Sequence, residues 1–178
     1  MANVSAEMKA VAISGSPRAP SKSKTLAELM LAALEEQGCT TSMIDVAELP
    51  AEALLARKPS SEIDAALAAV GAARIVVAAT PTYRALYTGA LKCLFDLMPP
   101  GALAGKICVP IQTAAAPQHF LAIDYGFRPL FASLDGVAIA GVYATDEQFV
   151  DGQPNEKVRQ RVRDVALAAV TLGHVTGG

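Results

Sequence analysis

Two hydrophobic periods alternate along this chain. Short apolar runs of strand composition are each followed by a longer stretch in which apolar residues recur three or four positions apart. Residues 9–14 read as a strand that ends at Gly15. Thr25 to Gln37 reads as a helix, with Leu26, Leu29, Met30 and Ala33 on one face and Gly38 as its stop. Residues 40–45 form a short alternating strand, and residues 50–59 a connection with one helical turn at 52–57. Ser60 or Ser61 caps a helix that runs to Ala73, and Ser61 with Asp64 resembles a capping box. Residues 74–80 follow, and their core Ile75-Val76-Val77-Ala78-Ala79 is unbroken, the pattern of a strand covered on both faces. Residues 88–98 read as a helix stopped by Pro99-Pro100-Gly101, 106–113 as a strand, 120–134 as a helix, 137–144 as a strand and 155–172 as an amphipathic helix. Strands alternating with helices in this way predict one α/β domain spanning residues 1–178, a doubly wound parallel sheet, with 1–8 and 173–178 as flexible ends.

Composition narrows the function classes. The chain has 178 residues, of which 52% are hydrophobic and 18% charged, and this apolar content excludes a disordered chain. Fifteen basic and seventeen acidic residues leave a net charge of −2, so no basic excess points to nucleic acid or an anionic bilayer. No apolar run reaches the roughly 18 residues of a membrane span. Without a charged and then apolar leader at the N-terminus, the cytoplasm is the expected location. Cys39, Cys93 and Cys108 are widely spaced and read as reduced structural thiols. With only His119 and His174 beside them, a zinc site lacks ligands.

In doubly wound sheets, ligands sit at the carboxyl ends of the strands, which singles out three loops. The first, residues 14–25, carries four serines, one threonine and three cations before a helix. Helix N-termini offer unpaired N–H groups and partial positive charge, and with Arg18 and the hydroxyls these suit a terminal phosphomonoester. A solvated Ser/Lys cap would have the same composition. Only Gly15 is glycine, so neither a dinucleotide fingerprint nor a P-loop is present. The second loop, residues 80–92, holds Pro81, Thr82, Tyr83, Arg84 and Tyr87. Its backbone N–H groups are expected to meet the edge of a flat heteroaromatic ring, with Tyr83 over a face. Ordinary surface tyrosines are the plainer reading. The third loop, Thr113-Ala114-Ala115-Ala116, is built of small residues, as close backbone approach to a ligand requires.

Together these segments resemble the NAD(P)H-dependent FMN reductases of flavodoxin-like fold, and among them the reductases that serve two-component alkanesulfonate monooxygenases. The matching motifs are G-S-P-R-x-P-S-x-S at 15–23, T-P-x-Y-x-x-x-Y-x-G-A-L-K at 80–92 and H-x-L-A-x-D-Y-x-x-x-P at 119–129. The resemblance implies a five-stranded sheet of order 2-1-3-4-5, hydride transfer from NADPH or NADH to FMN, and delivery of reduced FMN to a flavin-dependent monooxygenase. It implies that Ser16, Arg18, Ser23 and Thr25 hold the FMN phosphate, with Ser21 and Lys24 as further cofactor-binding candidates in the same loop, the Lys24 charge either helping there or pointing outward. Pro81, Thr82, Tyr83 and Arg84 would line the ring, and Thr113, Ala114, Ala115 and Ala116 would approach its pyrimidine side. Lys24 stands where relatives carry Ser or Asn, and Ala114 to Ala116 where they carry glycines.

Pro129 lies four residues after Tyr125 within a helical pattern. Its ring collides with the Tyr125 carbonyl and its nitrogen cannot donate to it, which predicts a kink or π-bulge at Tyr125. In the resembled reductases a tyrosine at this place sits in a π-helix at a tetramer interface and gates flavin binding and release. The implied assembly here is thus a homo-oligomer, dimer or tetramer. Apolar Phe120, Ile123, Phe127, Leu130, Phe131 and Leu134 cover more than one helix face, as an interface or a crowded core requires. Two other readings keep the fold: a flavoprotein with tightly bound FMN that reduces quinones, azo dyes or metal ions, and a flavin or electron carrier without turnover.

Overall fold

The unbroken apolar run of residues 75–79 lies in the middle of the sheet in a computed structural model of the chain, which describes residues 8–175. The strands are β1 (Lys9–Ser14), β2 (Thr40–Asp45), β3 (Ile75–Pro81), β4 (Ile107–Ala114), β5 (Val137–Ala138) and β6 (Val142–Thr145). They pair in parallel in the order β2-β1-β3-β4-β5, and β6 continues the outer edge against β4. This is the expected flavodoxin-like order, with its switch point between β1 and β3.

Successive residues of β1, β3 and β4 face opposite sides of the sheet, and both sides are buried. Ala10, Ala12, Val77 and Val109 pack under α1 (Lys22–Glu36) and α6 (Glu156–Val175). Val11, Ile13, Val76 and Cys108 pack under α3 (Ser61–Ala72), α4 (Gly89–Asp96) and α5 (Arg128–Ala132); a single helical turn, α2 (Ala51–Leu54), precedes α3. Two-sided burial is why the central strands, β3 above all, read as continuous apolar runs.

Three elements depart from expectation. Helix α1 starts at Lys22, not Thr25, because Ser21 caps it: the Lys24 N–H donates to Ser21 Oγ at 3.2 Å. Of the two expected caps of α3, Ser60 is the one used, its hydroxyl accepting from the Ile63 N–H at 3.3 Å. The strand expected over 137–144 is split into β5 and β6. The register slips by one residue between Cys108↔Ala138 and Ile111↔Val142, across Pro110, which has no N–H to donate. Gly141 lies so close there that a Cβ would stand 2.1 Å from the Pro110 carbonyl oxygen. In place of one long helix over 120–134 there is a π-helical turn (Ile123–Phe127) followed by α5, and a 3₁₀ turn (Pro117–His119) precedes them. Tyr125 sits within the π-helical turn, as its distance from Pro129 predicts.

A hairpin, β7 (Phe149–Val150) and β8 (Gln153–Pro154), was not anticipated. Asp151 (φ 49°) and Gly152 (φ 77°) form its two-residue turn. Of the ends expected to be flexible, Met8 packs against the core and Gly173 is buried within α6, which continues to Val175. Residues 1–7 and 176–178 lie outside the described residues.

Candidate functional site

The β1–α1 loop is fixed against two neighbours. The Gly15 N–H donates to the Ala79 carbonyl at 2.7 Å, and the Thr88 hydroxyl donates to the Gly15 carbonyl at 2.5 Å. A Cβ at Gly15 would meet Leu91 Cβ at 2.6 Å, so only glycine lets the loop lie on the first turn of α4. Beyond it, Ser16 Oγ donates to the Arg18 carbonyl at 2.9 Å, and Ser21 caps α1. The N–H groups of Lys22 and Ser23 fall in the first helical turn, where no intrahelical acceptor exists. They add the positive end of the helix dipole to the neighbouring hydroxyls of Ser16, Ser21 and Thr25.

The loop after β3 is a tight reversal. The Tyr83 N–H donates to the Leu86 carbonyl at 2.8 Å and the Leu86 N–H returns to the Tyr83 carbonyl at 3.3 Å. Between them Arg84 (φ 47°) and Ala85 (φ 75°) both occupy the left-handed region. The Thr82 N–H donates to the Thr113 carbonyl at 2.7 Å. The expectation that backbone N–H groups here face a ring is therefore corrected for residues 81–83. Pro81 has none, and those of Thr82 and Tyr83 are taken up by the chain. On the third loop, Tyr143 fixes the backbone, its hydroxyl donating to the Ala116 carbonyl at 2.5 Å.

These loops enclose one cavity of about 560 Å³ at the carboxyl ends of β1, β3 and β4. Of the expected residues, Ser16, Arg18, Ser21, Thr25, Pro81, Thr82, Tyr83, Thr113, Ala114 and Ala115 line it. Four do not. Ser23 is buried, its hydroxyl 3.1 Å from that of Ser21. Lys24 is drawn away by Asp45, its Nζ 2.6 Å from Oδ2, and this hydrogen bond raises the Lys24 pKa above its usual value. Ala116 contributes the carbonyl held by Tyr143 instead of a wall. Arg84 borders a smaller adjoining hollow with Thr82 and Tyr83.

Sequence reasoning missed Pro20, Lys22, Asp146, Gly152 and Gln153, which also line the cavity. Lys22 Nζ lies 2.8 Å from Asp146 Oδ1 and 5.4 Å from the centre of the Phe149 ring, tying the start of α1 to the β7–β8 hairpin. The Asp-Gly pair at 151–152 is the signal that marks this hairpin in the sequence.

Tyr125 lies outside this cavity. It is 76% exposed and borders a shallow groove of about 220 Å³ with Ala85, Leu86, His119 and Leu121. The π-helical turn rests directly on the β3 loop: a Cβ at Gly126 would stand 2.9 Å from Leu86 and 3.4 Å from the Tyr87 ring. Phe127 and Phe131 are wholly buried, whereas Phe120 and Leu121 are exposed beside Tyr125. Among the described residues, no helix is long and apolar enough to cross a membrane, and no group of three or more Cys, His, Asp and Glu is placed to hold a metal ion.

The cavity combines the first N–H donors of α1 and the Ser21 hydroxyl with a half-exposed aromatic ring, Tyr83. A phosphorylated ligand with a flat ring has the matching chemistry. Comparison with known proteins agrees. Residues 8–150 match the model of a family described as NADPH-dependent FMN reductase. The chain is 38% identical over 172 residues to an FMN reductase (NADPH) of Pseudomonas putida KT2440, covering 94% of this chain and 87% of that one. It is 34% identical over 175 residues to the NADH-dependent FMN reductase SfnF of Pseudomonas fluorescens Pf0-1, covering 95% and 94%. Among solved structures, the apo form of an NADH:FMN oxidoreductase (EMOB) superposes with a TM-score of 0.85 at 32% identity, over 94% of this chain and 89% of that one. The chain belongs to the NADPH-dependent FMN reductase family.

Proposed function

We propose that this reductase passes hydride from NAD(P)H to FMN at the carboxyl ends of β1, β3 and β4 and releases reduced flavin to a partner monooxygenase of the sulfonate-assimilation type. The oxidoreductase class and the use of FMN and NAD(P)H come with family membership. The observation that carries the reading is one cavity walled both by the α1 cap donors and by Tyr83.

The residues present fit FMN. The first N–H groups of α1, the Ser21 hydroxyl and the exposed Arg18 form a donor set for a phosphomonoester, bordered by Ser16 and Thr25, whose own protons go to the Arg18 and Ser21 carbonyls. Pro81, Thr82 and Tyr83 on one side and Thr113 to Ala115 on the other would hold the ring, and 560 Å³ falls within the range of about 300–1,000 Å³ common for ligand sites. Bound there, FMN supplies the hydride-accepting chemistry, and the protein contributes position and electrostatics. No nucleophile–base pair is needed from the chain. Lys22, neutralised by Asp146, holds the hairpin over the phosphate end, and Tyr143 holds the third loop in place.

Release rests on Tyr125. The exposed Tyr125, Phe120 and Leu121 would form part of a homo-oligomer interface, dimer or tetramer. Through Gly126 and Leu86 the same π-helical turn bears on the ring loop, so assembly and flavin retention are coupled. The partner is a flavin-dependent monooxygenase and the location the cytoplasm.

The test is NAD(P)H oxidation at 340 nm by the purified protein with and without added FMN, together with its visible spectrum. Colourless protein whose turnover requires added FMN supports the reading. Yellow protein that instead requires a quinone, dye or metal ion makes flavin a resident group, and absence of turnover with any acceptor makes the chain a carrier. Tyr125→Ala is expected to copurify with flavin and to turn over free FMN more slowly. A colourless, fully active variant overturns the gating role.

A further inference from the structure

Gln112 is wholly buried in β4, the residue before Thr113 of the cavity wall. Its Nε2 donates to Thr82 Oγ1 at 2.9 Å, while its Oε1 has no partner within the protein. A buried acceptor left unpaired is costly, and an apolar residue would avoid the cost. The packing of the sheet therefore gives no reason for glutamine here, and the bond to Thr82 is what the glutamine provides.

That bond has a consequence for the cavity. Because Nε2 donates, the Thr82 oxygen is an acceptor on that side and its own proton remains available. The hydroxyl makes no other hydrogen bond among the described residues, and Thr82 lines the cavity. Backbone donors are spent nearby: the Thr82 N–H goes to Thr113 and the Tyr83 N–H to Leu86, while Pro81 has none. The Thr82 hydroxyl is thus the one donor that residues 81–83 have left, apart from the Tyr83 phenol.

We propose that Gln112 is a positioning residue for the flavin ring: its buried amide holds the Thr82 hydroxyl as a hydrogen-bond donor toward a ring nitrogen or carbonyl oxygen. The inference rests on the FMN-reductase reading above. It makes Thr82 a residue that touches the ring and Gln112 one that acts through it.

The polarity of the pair supplies the test. Gln112→Glu replaces the donor with an acceptor that captures the Thr82 proton, and Thr82→Val removes the hydroxyl. FMN affinity of the apo protein, measured by quenching of flavin fluorescence, is expected to fall about tenfold in each, as for loss of one net hydrogen bond. The double variant is expected to fall no further, and Thr82→Ser to bind within about twofold of wild type. The visible band of bound FMN is expected to shift in the same way for Gln112→Glu and Thr82→Val, a change that loosened packing alone would not reproduce. Should the buried carboxyl prevent folding, Gln112→Leu carries the test: it should weaken binding with Thr82 present and have no effect on Thr82→Val. Unchanged affinity in Gln112→Glu or Thr82→Val, or additive losses, overturns the positioning role. Wild-type protein that neither binds FMN nor oxidises NAD(P)H overturns the reading beneath it instead.

Discussion

Thr88 joins the two loops on which the site depends, and replacing it with valine isolates that joint. Thr88 is 1% exposed, and its hydroxyl makes two bonds: it donates to the Gly15 carbonyl at 2.5 Å and accepts from the Leu91 N–H at 3.1 Å, capping α4. Its own N–H donates to Thr80 Oγ1 at 3.1 Å, a bond that valine keeps. Thr88→Val conserves volume but removes both hydroxyl bonds. Loss of the cap costs about 1 kcal/mol. The Gly15 carbonyl, left in a buried site without this donor, costs about 1–3 kcal/mol more. The sum is about 3 kcal/mol. Thr88→Ser keeps both bonds and loses one buried methyl, about 1 kcal/mol. The chain has no tryptophan, so far-UV circular dichroism in urea at fixed protein concentration is the suitable assay. With a slope of about 2 kcal/mol per molar, the midpoint should fall by about 1.5 M for valine and about 0.5 M for serine. Equal shifts for the two variants would refute the hydrogen-bond account and leave Thr88 as a packing residue.

Further outcomes are expected at three residues. Ala85 holds φ 75° without being glycine, so Ala85→Gly should relieve about 1 kcal/mol of left-handed strain and raise the melting temperature by about 2–4 °C; an unchanged or lower value would show the turn to be unstrained. Burial pushes the Cys108 thiol up to about 12, so it should resist iodoacetamide at pH 9 until urea unfolds the chain. Because the folded value lies above the unfolded one, this thiol's contribution to stability is complete below the ordinary value of 9.0 and is lost as pH rises toward 12. The stability gap between wild type and Cys108→Ala should therefore narrow between pH 8 and pH 10.5, and a constant gap would contradict the shift. Lys24 is engaged by Asp45 away from the cavity, so Lys24→Met should leave the FMN dissociation constant within about twofold, whereas a tenfold loss would place its charge on the phosphate.

What could be read in the sequence followed a physical division. β3 and the parallel, doubly wound sheet were legible because two-sided burial writes itself as an unbroken apolar run and because parallel strands need helical crossovers, whereas the strand order came with the family resemblance. The π-helical turn was legible because Pro129 acts on a carbonyl four residues away in its own chain. Features that depend on a distant partner were not. The slip between β5 and β6 is caused by Pro110 and Gly141 meeting across strands, and neither residue signals the other in sequence. The β7–β8 hairpin has strands too short to show alternation, although its Asp-Gly turn is written plainly. Helix α1 was started late because apolar periodicity begins at Leu26, while the first turn is specified by the Ser21 cap alone.

The same division explains why the candidate site was found as residues and misjudged as chemistry. Lys24 and Lys22 are equivalent as sequence, both cations in a serine-rich loop. The fold separates them, since one meets Asp45 beside β2 and the other meets Asp146 at the cavity edge. Likewise, the Pro81-Thr82-Tyr83 segment announces a ring-binding loop, yet its donor capacity depends on its register with β4. That register consumes the Thr82 N–H on Thr113 and brings Gln112 beneath the Thr82 hydroxyl. Donor supply toward a ligand is what remains after the fold has taken its own share. The residue that decides it here, Gln112, lies within an apolar strand and carries no motif to mark it.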